Sequence, residues 1–293
     1  VHDDLARVDG DQKRLLDRFL ELDQLGHRHA TRKDTGTERR CRRRESPAAT
    51  LGPMTERILG IVGGVGPEST ADYFRRLIAR WSERGPTGSY PHVLVDSLNS
   101  RSALTSIIDG DIDPSVRLFR ASVERLAGAG AGLALVASVM MHIAYERVAA
   151  VAPIPMLSIL DELVSAARAA GITRPAVLGA RPTVEGEFFA RPFEAAGIEL
   201  VRPDDGDRAW VHEVYFTELV RGQFRAEVHD RLVAIIDQLR ERSEIDGVIL
   251  AGTELPLILR ERSYAGVPVI DAIDVHVEAA VSWLLGEASA GDA

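Results

Sequence analysis

Among 293 residues there is a single cysteine, Cys41. One thiol excludes an intrachain disulfide and fits a reducing cytoplasm, the expected location. No apolar run approaches the roughly 20 residues that span a bilayer, and no signal peptide is visible, so no membrane role is expected. Positive charge is short as well. A net charge of −9 gives no general footing for nucleic acid. The histidines His142, His212, His229 and His276 are scattered and form no His-Glu-x-x-His set, so no metal site is expected.

The chain is long enough to bury a substantial core and to divide into two domains. Residues 1–53 differ from the rest. Leu15, Leu16, Phe19, Leu20, Leu22 and Leu25 form a short amphipathic stretch, Arg39 to Arg44 is nearly all arginine, and Ser46 to Pro53 is rich in Pro, Gly and Ala. This composition predicts a disordered basic N-terminal extension, with contact to acidic polymers as the other reading. Met54 is the expected natural start of the folded protein.

The most informative stretch is Ile58 to Thr70. Ile58–Val62 is an apolar run suited to a strand buried on both faces. Gly63, Gly64 and Gly66 permit a tight turn with bare N–H groups close to a ligand. Pro67 suits a first helical turn, and Ser69 and Thr70 add hydroxyls. Strand, glycine turn and helix N-terminus together make an anion cradle, the other reading being a tight turn without ligand. The glycines lack the G-x-G-x-x-G spacing and no Gly-Lys-Ser/Thr follows, which sets aside dinucleotide and P-loop readings.

Downstream, strand-like runs (Ile58–Val62, His92–Ser97, Leu133–Ala137, Pro175–Leu178, Val248–Leu250, Val267–Ile270) alternate with helical stretches. Alternation at this spacing predicts an α/β fold of parallel sheets covered by helices on both faces. A ligand would then sit beyond the carboxyl ends of the strands.

Gly63-Gly64-Val65-Gly66-Pro67-Glu68-Ser69-Thr70 resembles the N-terminal signature of the aspartate/glutamate racemase superfamily. Later blocks match in the same order at Ala137–His142, Leu178–Thr183, Leu250–Pro256 and Ile270–Ala280, and the likeness runs from about Ile58 to Leu285. The resemblance implies two Rossmann-like lobes with a ligand cleft between them, here about 55–155 plus 266–288 for lobe one and 156–265 for lobe two. It also implies a small carboxylate substrate, no cofactor and a homodimer.

Racemases of this family move the α-proton between two cysteines on opposite faces of the substrate. Where the family has Cys-Asn-Thr-x-His this chain reads Ser138-Val139-Met140-Met141-His142, and where it has Gly-Cys-Thr-Glu this chain reads Ala251-Gly252-Thr253-Glu254. Both thiols are absent. A serine hydroxyl is too weak an acid to replace a thiol without an adjacent base, and Gly252 has no side chain. Val139 and Met140 also remove polar groups that hold an amino-acid head group in the family.

His142 and Glu254 remain as acid/base candidates beside Ser138. The structural readings set against them are a core histidine satisfied by a carbonyl and a carboxylate capping the next helix. For substrate binding the candidates are Gly63, Gly64, Gly66, Ser69, Thr70, Asn99, Arg101, Val139, Met140, Arg181, Thr183, Gly252 and Thr253, with Arg181 suited to clamp a carboxylate. The expected function is cofactor-free chemistry on a small carboxylate: isomerisation, decarboxylation, elimination or cyclisation. The alternatives are amino-acid racemisation with non-cysteine bases and binding of a small acid without catalysis.

Overall fold

The computed structural model describes residues 57–108 and 110–287, so the extension expected over 1–53, and Cys41 with it, lies outside the described residues. Strand β1 (Ile58–Gly63) is buried along all but its first residue, as its apolar run requires. The glycine turn feeds α1 (Pro67–Arg84), which packs Tyr73 and Leu77 beneath the sheet. Then come β2 (His92–Ser97), α2 (Arg101–Ile108), α3 (Asp113–Gly128), β3 (Leu133–Val136), a 3-10 turn at Met140–Ala144, α4 (Tyr145–Ala149) and β4 (Met156–Leu157). These strands form one parallel sheet in the order β2-β1-β3-β4.

Helix α5 (Ile159–Ala169) leads to the second sheet. Its strands are β5 (Pro175–Leu178), β6 (Gly247–Leu250), β7 (Ser263–Tyr264) and β8 (Val267–Asp271), in the order β5-β6-β8-β7. All neighbours there are parallel except the short β7. Between β5 and β6 lie α6 (Arg181–Val184), α7 (Glu187–Ala195), α8 (Asp205–Thr217) and α9 (Ala226–Ser243); α10 (Leu255–Ile258) follows β6 and α11 (Ala272–Leu284) follows β8. The expected α/β class, parallel sheets flanked by helices, is the observed one.

The lobe boundaries expected from resemblance differ at both crossings. Met156 and Leu157 pair with β3 and complete the first sheet. Residues 267–271 join the second sheet, with Val248 opposite Val269 and Ile249 opposite Ile270. Only α11 returns to the first half. Its Ile273, Val277, Ala280 and Val281 share a buried cluster with Leu59, Ile61, Tyr73 and Leu77. The strand therefore stays in register with β6 while the helix after it packs on the first sheet.

Candidate active site

The carboxyl ends of β1, β3, β5 and β6 converge on a cavity of about 60 Å³. Gly66, Ser138, Met140, Thr183, Thr253 and Glu254, expected from the sequence, line it. Val65, Ala180, Tyr215, Phe216, Val220 and Ala251 complete the described wall. Parallel strands aim their C-terminal loops at one edge, so residues distant in sequence meet there.

Glu254 is the central group. The residue is 2% exposed. Oε2 accepts hydrogen bonds from the Tyr215 hydroxyl and from Thr253 Oγ1, the latter at 3.0 Å. Oε1 lies against Gly66, the N-terminal cap residue of α1, where a side chain would collide with it. Burial raises the Glu254 pKa above the ordinary carboxylate value, although the hydroxyls of Tyr215, Thr253 and Ser69 favour its charged form. Glu254 occupies the N-cap position of the short α10, but its side chain makes no capping hydrogen bond there, so the capping reading fails.

The glycine turn is built differently from an open cradle. Thr70 Oγ1 accepts from Gly64 N at 2.9 Å and donates to Gly66 O at 3.1 Å, and Ser69 Oγ donates to Gly66 O at 2.8 Å. Gly64, at φ 78°, lets the Leu98 backbone pass close by, and Ser100 Oγ closes that crossing on Gly64 O at 2.7 Å. A Cβ at Gly63 would lie 2.5 Å from Thr70 Cγ2. Gly63, Gly64 and Thr70 therefore shape the turn, and the carboxyl of the chain's own Glu254 stands against Gly66 at the N-terminus of α1.

His142 is corrected. Its Nε2 accepts the Ile159 N–H at 3.1 Å, which leaves Nδ1 as the donor to Ser138 O at 2.8 Å. Both ring nitrogens hold backbone, and burial lowers its pKa to about 4. The ring pins the loop after β3 to the start of α5 and has no free nitrogen for a substrate proton. His276 works similarly. Its Nε2 donates to Leu157 O at 3.3 Å and its Nδ1 accepts from Tyr73, with burial lowering its pKa to about 3.

Several binding candidates lie elsewhere. Asn99 and Arg101 are exposed, and neither is among the residues of the wall. Arg181 is half exposed and donates to Glu185 Oε1 at 3.0 Å, so it is no clamp at the cavity. Val139 is packed into the core with Ile159, Leu163 and Phe189. Gly252 sits behind Tyr215, whose ring fills the space above it.

Tyr215 is the residue the sequence reading missed. Burial raises its pKa well above the ordinary phenol value, and the Glu254 carboxylate adds to that. The one signal in the sequence was the glycine at 252 itself, since a position emptied of its side chain leaves room for something else to fill. The arrangement offers a buried carboxyl able to take or give a proton, a phenol bonded to it, and the hydroxyls of Ser138 and Thr183 on the same wall.

The family model described as Asp/Glu/Hydantoin racemase matches residues 62–280. The broad specificity amino-acid racemase RacX of Bacillus subtilis (strain 168) is 22% identical over 241 residues, covering 78% of this chain and 98% of its own length. Among solved structures, a candidate Asp/Glu racemase from Yersinia pestis has a TM-score of 0.71 at 28% identity, over 78% of this chain and 99% of its own. An aspartate racemase homologue from Pyrococcus horikoshii OT3 has a TM-score of 0.68 at 27% identity, over 78% and 99%.

Proposed function

Because this chain belongs to the Asp/Glu/hydantoin racemase family, we propose that it carries out cofactor-independent proton transfer on a small carbon acid with Glu254 as the acid/base. The observation that carries this is the buried Glu254 carboxyl on the cavity wall, held by Tyr215 and Thr253 and raised in pKa by burial. A carboxyl whose pKa is raised by burial is a better proton acceptor than an exposed one and can return the proton it takes.

The reaction class follows from counting proton carriers. Inversion at a carbon needs two of them on opposite faces. One side of this cavity offers Glu254; Ser138 and Met140 stand on the loop after β3, and neither is a base. A single carboxyl suffices to shift a double bond, to protonate a carbanion after loss of carbon dioxide, to eliminate or to close a ring. The Ser138 and Thr183 hydroxyls would steady the enolate oxygen that such steps develop. Isomerase or lyase chemistry is thus favoured over two-base racemisation. Racemisation with non-cysteine bases is the second reading, drawn from the Bacillus subtilis relative's activity.

The test is C–H exchange in D₂O, followed by proton NMR over a panel of small carbonyl compounds and acids. At least one should exchange with the native protein and fail to exchange with Glu254→Gln. His142→Gln should keep the exchange wherever it still folds. Exchange that survives Glu254→Gln would remove Glu254 from the chemistry.

A further inference from the structure

We infer that the cavity takes its ligand uncharged, as a small amide, ester or ketone, and discriminates against carboxylates and amino-acid zwitterions. This rests on the reading of the cavity as the reaction site and narrows its substrate class.

The first ground is positional. A helix N-terminus is the natural seat for a ligand's carboxylate, through its N–H groups and its dipole. At α1 that seat is filled by the Glu254 carboxyl, with Oε1 against Gly66 and with Ser69 beside it. An entering carboxylate would find a carboxyl already in that place, and a like charge whenever Glu254 is ionised.

The second ground is the wall. Its other described residues are apolar (Val65, Met140, Ala180, Phe216, Val220, Ala251) or carry hydroxyls (Ser138, Thr183, Thr253, Tyr215). Hydroxyls satisfy a neutral carbonyl with ordinary hydrogen bonds, whereas an anion buried among apolar groups without a cation is far more costly. Arg181 is engaged by Glu185, and Arg208 converges on the same Glu185 oxygen at 3.1 Å.

The third ground is size. The cavity of about 60 Å³ is well under the roughly 150 Å³ that holds benzene in an engineered apolar pocket. Ligands of a few heavy atoms fit such a space, and a matched acid and amide of that size isolate charge from shape.

Propionamide and propionate are such a pair. The methionine methyls, labelled with carbon-13, report occupancy. Met140 lines the cavity, Met141 is buried in the neighbouring core as a control, and Met140→Leu identifies the resonance. Near neutral pH, propionamide should shift the Met140 methyl at a concentration roughly tenfold lower than propionate does. Glu254→Gln should narrow that gap by improving propionate relative to propionamide; if the variant does not fold, the native comparison decides alone. Propionate moving Met140 as readily as propionamide overturns the inference and leaves the cavity as the site. If neither moves Met140 up to about 100 mM, the weak end for so small a ligand, the inference and the reading of the site both fall.

Discussion

The ring of Tyr215 stands where a side chain at Gly252 would project: a Cβ built there lies 2.6 Å from Tyr215 Cε2 and 2.8 Å from its hydroxyl oxygen. Real Cβ contacts are not that short, and Tyr215 is held at its far end by Glu254. Gly252→Ala should therefore destabilise the protein by about 1–3 kcal/mol, the usual range for overpacking. Combined with Tyr215→Ala the two changes should be non-additive, because each acts on the same space. Urea denaturation of the four proteins measures the coupling, and simple additivity would show that the ring does not occupy that position in solution.

Two buried histidines set an acid limit. Burial lowers His142 to about 4 and His276 to about 3, against an ordinary 6.5. Folded values below the unfolded one mean that stability is complete above about pH 6.5 and is lost as pH falls through the folded values. At roughly 1.4 kcal/mol per pKa unit, His142 alone accounts for about 3 kcal/mol of that loss. His142→Gln should be less stable at neutral pH, through the backbone bonds it weakens, yet should show a shallower loss between pH 6.5 and 4. Equal slopes for the two proteins would mean that His142 titrates normally in the fold.

Much of the fold was legible because strand and helix signals are local. Ile58–Val62, Pro175–Leu178 and Val248–Leu250 are short apolar runs bounded by turn residues, and each is a strand. The site was legible only where it follows directly from a strand end, as Gly66, Ser138 and Glu254 do. Tyr215 lies 39 residues from Glu254, on a helix whose contacts tertiary packing decides. His142 was legible as a candidate, but its role turned on Ile159 N–H, a donor no local pattern reveals. The family likeness misled on residues 267–271, whose sheet depends on register with β6.

Arg76 links the two halves. From α1 it bonds Asp72 at 2.7 Å, Asp271 at the end of β8 at 2.5 Å and Asp274 on α11 at 3.0 Å. Burial works against its charge, but Asp271, Asp72 and Asp274 outweigh it and raise its pKa. Arg76→Met would leave Asp271, its side chain 17% exposed, without the arginine it pairs with, while Asp72 would keep Arg75 at 2.6 Å. The expected loss is about 3 kcal/mol or more at neutral pH. It should shrink in mild acid, because burial already holds Asp271 above the ordinary carboxylate range and ready to protonate. A loss independent of pH would show that packing of the Arg76 stem, not charge, makes the link.

The last prediction concerns amino-acid racemisation. Inversion at the α-carbon of aspartate or glutamate requires one group to remove a proton far less acidic than any side chain and a second to return one from the other face. The positions that resemble the racemase thiols carry Ser138 and Gly252 here, and Tyr215 fills the space above the glycine. Incubating the protein with L-aspartate or L-glutamate in D₂O should give negligible α-deuteration and no D-isomer. Ser138→Cys with Gly252→Cys should not restore it, since the second sulfur would have to displace the Tyr215 ring; adding Tyr215→Ala opens that space and is the version in which a trace of exchange is expected. If the native protein formed the D-isomer at about one turnover per second, an ordinary enzymatic rate, Glu254 would have to work against a partner on the opposite wall. The family's racemisation would then persist here without thiols, and single-carboxyl chemistry would be the wrong reading of this cavity.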